Sequence, residues 1–102
     1  MKYQLVLQWS ASSIDDYDTM IAVEDALIEG LRDGSVVDGH DGGSGQVNIF
    51  ILTNNPMETF GCLEGILKDH DAWPNVRIAY RDLERSEYII LWPKTLSEFR
   101  VV

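Results

Sequence analysis

Residues 35–53 read SVVDGHDGGSGQVNIFILT, and how this stretch divides decides the fold. Ser35-Val36-Val37-Asp38 predicts a short strand. Gln46 to Thr53 predicts a longer one, with Val47, Ile49 and Ile51 on one side and Asn48, Phe50 and Leu52 on the other. Between them the octet Asp38 to Gly45, DGHDGGSG, holds four glycines and two aspartates. Glycine adopts positive φ readily and aspartate bonds nearby amides, so the octet reads as a glycine-hinged connection and the whole stretch as a β-hairpin.

Upstream, Tyr3 to Trp9 alternates, with Tyr3, Leu5, Leu7 and Trp9 on a drier face and Gln4, Val6 and Gln8 on a wetter one. Ser10 to Ser13 breaks the pattern. Ser13 is placed to cap a helix starting near Ile14, because Asp15 and Asp16 then meet the positive end of its dipole. Tyr17, Met20, Ile21, Leu27, Ile28 and Leu31 give that helix an apolar stripe, leaving Asp18, Asp25, Glu29 and Asp33 toward water. Asp33-Gly34 is its expected stop.

Downstream, Asn55 and Pro56 suit the cap and first turn of a second helix, Met57 to about Lys68, with Phe60, Leu63, Ile66 and Leu67 as its buried side. Val76 to Arg81 and Tyr88 to Trp92 predict two more strands, joined through Asp82 to Glu87. Pro93 ends the last strand, and residues 94–102 form a loosely packed tail. The order strand, helix, strand, strand, helix, strand, with one strand more, predicts a single α+β domain over residues 1–102. It is the order of a ferredoxin-like βαββαβ antiparallel sheet with two helices on one face and an extra C-terminal strand. A mixed sheet with the last strand elsewhere is the competing layout. Gln4, Gln8, Asn48, Arg77 and Arg81, with Val6 and Phe50, then line the opposite face, which is either solvated or the contact of a homo-oligomer.

Net charge is −9, and residues 1–50 hold nine acids against two bases. Such a field repels phosphate backbones and anionic lipid, so neither nucleic acid nor membrane is expected as a partner, and a basic protein is. There is no apolar run of about 18 residues. The start Met-Lys-Tyr-Gln lacks a signal-peptide pattern, and the expected location is cytoplasmic. Cys62 is the only cysteine, which excludes an intrachain disulfide, and its apolar setting reads as packing.

The octet tests poorly as a chemical site. A phosphate loop needs a lysine and a following helix, and here a strand follows. Asp38, Asp41 and Ser44 depart from the spacing of calcium loops, and His40 and His70 lie thirty positions apart without a metal motif. His40 and Asp41 are the local acid–base candidates if the chain is an enzyme. Adjacent residues on extended chain point to opposite faces, which weakens that pairing, and no nucleophile elbow surrounds Ser44. No catalytic, cofactor-binding or metal-binding residue is therefore assigned. Arg77, Arg81 and Arg85 form a small basic island that Asp82, Glu84 and Glu87 are expected to neutralise. Trp73, in a loop before Pro74, suits an exposed anchor.

The run DGHDGGSGQVNIFILTNNP, residues 38–56, resembles a signature of a group of small acidic bacterial proteins of uncharacterised role. That resemblance implies no catalytic residue. In size and charge, not in motif, the chain is similar to immunity proteins that cap basic toxin enzymes. The expected function is a non-enzymatic protein-binding module, of immunity type toward a basic partner, with Asp18, Asp25, Glu29, His40, Asp41 and Trp73 at the contact. The alternative is a small enzyme or ligand-sensing domain that uses the loop Asp38 to Gly45.

Overall fold

A strand covered on both faces buries consecutive residues rather than alternate ones, and the first strand behaves this way. In the computed structural model, which describes residues 1–10, 17–31, 34–43 and 45–101, β1 (Tyr3–Ser10) buries every residue from Leu5 to Trp9. It is followed by α1 (Tyr17–Gly30), β2 (Ser35–Gly43), β3 (Gln46–Thr53), α2 (Pro56–Leu67), a short 3-10 turn (Trp73–Asn75), β4 (Arg77–Asp82) and β5 (Ile89–Trp92). The strands form one sheet in the order β2-β3-β1-β4-β5, with every neighbouring pair antiparallel. This is the ferredoxin-like arrangement with a fifth strand added beside β4.

Both helices cover one face. Leu5, Leu7 and Trp9 of β1, Ile49 and Ile51 of β3 and Ile78 of β4 meet Met20, Val23 and Leu27 of α1 and Leu63 and Leu67 of α2 in one buried cluster. Trp9 sits at its end, its indole Nε1 donating to the Ala72 carbonyl at 2.8 Å. The start of α2 follows its sequence. Pro56 occupies the first turn, and the Asn55 side chain accepts from the Glu58 amide, a cap whose removal costs about 1 kcal/mol.

Four expectations need correction. The octet is not a loop: β2 runs through it to Gly43, and Gly43 already pairs with Gln46, so the connection to β3 is tight. Gly45, at φ +79°, supplies the left-handed conformation that so tight a turn requires. Helix α1 ends at Gly30, with the Leu31 amide closing the last turn onto Leu27, rather than at Asp33. Ile28 is 58% exposed, and Val23 and Glu24 take the inward positions instead. The wetter face of β1 is not wet, because Val6 and Gln8 are buried, and Gln8 bonds the Arg100 carbonyl of the chain's own C-terminal segment. The expected cap at Ser13 and start at Ile14, along with Asp33 and Ser44, lie outside the described residues.

The ladder between β2 and β3 contains a bulge. Val37 pairs with Ile51 and Gly39 with Phe50, so Asp38 is an extra residue on β2. Gly39 has φ +114°, a conformation that an L side chain adopts only under strain, although a Cβ there would meet nothing within 4 Å. Gly39→Ala is expected to destabilise the domain by about 1–3 kcal/mol through backbone strain alone. Gly42→Ala, at ordinary φ in the same strand, should cost less, and chemical denaturation of the two variants side by side measures the difference.

Candidate functional site

The bulge fixes what the two faces of β2 carry. Beyond it His40 pairs with Ile49 and faces the helices, whereas Asp41 pairs with Asn48 and faces the opposite layer. His40 Nδ1 lies 2.8 Å from Oε2 of Glu24, an α1 residue only 9% exposed, and donates to that carboxylate. The contact ties α1 to the edge strand. Glu24 was missed in the sequence because it falls on the inner side of a helix on which Asp25 and Glu29 face water, and nothing local names its partner.

On the opposite face, one row of cross-strand neighbours runs through four strands: Asp41 on β2, Asn48 on β3, Gln8 on β1 and Arg77 on β4. Their side chains bond in sequence. Arg77 Nε donates to Gln8 Oε1 at 2.9 Å, Gln8 Nε2 to Asn48 Oδ1 at 3.0 Å, and Asn48 Nδ2 to Asp41 Oδ1 at 2.9 Å. A carboxylate only accepts and a guanidinium only donates, so the two amides between them are satisfied in a single orientation. Gln8 and Asn48 are 2% and 1% exposed, where an unmet polar group is costly, so the row is a fixed relay. A parallel row is shorter: Arg81 Nε donates to Gln4 Oε1 at 3.1 Å.

Residues 94–101 lie across one end of this face. The Arg100 carbonyl accepts from Gln8 Nε2 at 2.7 Å and from Gln46 Nε2 at 3.1 Å, and the Phe99 ring packs on Tyr88 with centroids 5.0 Å apart. Between this segment and the sheet is a shallow cavity, largely open to solvent, of about 270 Å³ lined by Gln8, Gln46, Arg77, Leu96, Glu98 and Arg100. The expected neutralisation of the basic island by Asp82, Glu84 and Glu87 is corrected here. Arg77 and Arg81 bond amides and backbone carbonyls, and among the described residues neither forms an ion pair. Neutral acceptors suffice because both arginines lie along strands already lined by glutamine side chains.

The remaining expected contact residues are scattered. Asp25 and Glu29 are exposed on α1, and Asp18 falls in the same helix with its side chain outside the described set. Trp73 is half-buried and stacked on Trp92, with ring centroids 5.6 Å apart. His70 Nδ1 accepts from the Ala72 amide at 3.0 Å and so serves a turn. Cys62 is half-buried on α2. Among the described residues there is no group of three histidine, cysteine or acidic side chains able to hold a metal ion, and no helix is long and apolar enough to cross a membrane.

A second concavity, a groove of about 310 Å³, follows the junction of α1 with the β2 edge and is lined by Leu27, Ile28, Leu31, Ser35, Val36 and Val37. Ile28 and Val36 leave 58% and 51% of their surface exposed there. The exposed acids Asp25 and Glu29 on α1 and Asp38 and Asp41 on β2 belong to the two elements that form it. Set against protein-family models, curated proteins and solved structures, the chain finds no match.

Proposed function

We propose that this domain is a non-enzymatic protein-binding module that receives a basic partner on the edge formed by α1 and β2. One observation carries the reading: an apolar groove with two half-exposed aliphatic side chains lies between two elements whose outward charges are acidic. An apolar centre with a charged rim is the usual anatomy of a protein interface, and a rim of one sign steers an oppositely charged partner to it. Helix α1 and β2 are held to each other by the His40–Glu24 contact, so the two acidic sides keep a fixed spacing. Capping of a basic enzyme in immunity fashion is the version of this role that fits the chain's size and its charge of −9.

Native mass spectrometry of the protein, recovered at low salt from its own cells, tests the proposal. The expected result is a complex with a basic protein that dissociates as salt rises. Its affinity should fall about tenfold or more when Asp25, Glu29 and Asp38 are changed together to lysine. A free chain under these conditions, or a complex indifferent to the triple reversal, would refute the assignment.

A further inference from the structure

Arg77 is a half-buried cation that, among the described residues, forms no ion pair, in a chain with 17 acids and 8 bases; the Glu98 carboxylate that lines the adjoining cavity is paired with Arg100 instead. Its Nε is committed to Gln8, which leaves its two Nη groups without a hydrogen-bond partner among those residues. Gln8 is itself immobilised by Asn48, Gln46 and the Arg100 carbonyl, so the guanidinium is presented to the adjoining cavity by a prearranged frame. Prearrangement lowers the ordering cost of binding.

The walls of that cavity state what would fill it. The Gln8 amide nitrogen and oxygen are both engaged, and Gln46 accepts from Gln8 and donates to the Arg100 carbonyl. Apart from the Glu98 carboxylate, which accepts from Arg100, what remains is donors on guanidinium groups, which call for an acceptor, and a planar carboxylate matches a pair of guanidinium N–H groups. Arg100 is already paired with Glu98 at the exposed mouth, so the Glu98 charge counts against any ligand bearing more than one negative charge. Leu96 offers an apolar wall, and a volume of about 270 Å³ lies just below the range of drug-sized sites. We propose that this cavity binds a short-chain monocarboxylate on Arg77. The site lies on the sheet face opposite the helices and does not depend on the binding role proposed above.

Propionate is the probe. Titrated as its sodium salt into ¹⁵N-labelled protein, against sodium chloride at equal concentration, it should shift the side-chain amide signals of Gln8 and Gln46 saturably, with a midpoint of about 1–10 mM. Arg77→Gln, which retains a donor for Gln8, should weaken binding at least about tenfold, and Arg81→Gln on the neighbouring row should leave it unchanged. If Arg77→Gln does not fold, Arg77→Lys keeps the charge without the two-donor edge and should bind several-fold more weakly. Shifts no larger than those from chloride, or undiminished binding by the folded Arg77 variant, would overturn the site. Tighter binding of inorganic phosphate than of propionate would overturn the choice of a monocarboxylate.

Discussion

Trp9→Ala is expected to remove most of the domain's stability. The indole is wholly buried among side chains from the sheet and the helices, and truncating a buried tryptophan costs about 3–5 kcal/mol through lost burial and the space left behind. Its Nε1 also satisfies the Ala72 carbonyl, and an orphaned buried acceptor adds about 1–3 kcal/mol unless water reaches it. Domains of this size hold only about 5–15 kcal/mol in total. The urea midpoint should therefore fall by about 2 M or more, or the variant should be unfolded without denaturant. Trp9→Phe keeps most of the volume and loses only the hydrogen bond, so its midpoint should lie between the two. Equal losses for alanine and phenylalanine would show that the hydrogen bond, not the packing, dominates.

The second large effect concerns the relay. Gln8→Leu deprives Arg77 Nε and Asn48 Oδ1 of their partner in one step and leaves the Arg100 carbonyl with Gln46 alone, at an expected cost of about 2–4 kcal/mol, since each orphaned buried group costs about 1–3 kcal/mol and some rehydrate. Asn48→Leu removes the side-chain donor to the exposed Asp41 and one of three acceptors of the Gln8 amide nitrogen, so it should cost less. The double replacement removes the bond they share, so it should cost less than the two single changes added together, by about 0.5–3 kcal/mol. Equilibrium unfolding of all four proteins closes the cycle, and strict additivity would mean that the row is four separate contacts rather than one coupled unit.

The relay also shows where sequence reading stops. Alternation along the strands placed Gln8, Asn48 and Arg77 on one face, and that placement holds because the side-chain period of a strand is two residues. It gave no sign that residues 94–101 would lie on the same face, since a carbonyl such as that of Arg100 belongs to no residue type. The cap at Asn55 was legible because capping is a local exchange between a side chain and an amide three residues on. Ile28 was misplaced because a helical stripe marks one face of a cylinder and does not say how far the neighbouring sheet extends beneath it. The pairing of Glu24 with His40 depends on tertiary placement across sixteen positions, and no local pattern carries that.

The extra residue at Asp38 decides which layer receives an imidazole and which a carboxylate. Had β2 kept every residue in step with β3, His40 would stand opposite Asn48, and Asp41 would turn toward the layer that holds Glu24, setting one carboxylate toward another. A strand with a single residue between Val37 and His40 and no bulge would present the same faces as this one. One with two residues and no bulge would exchange them. For this edge strand, spacing outranks identity. The count between two landmarks, together with whether the ladder skips, sets the chemistry that each side of the sheet displays.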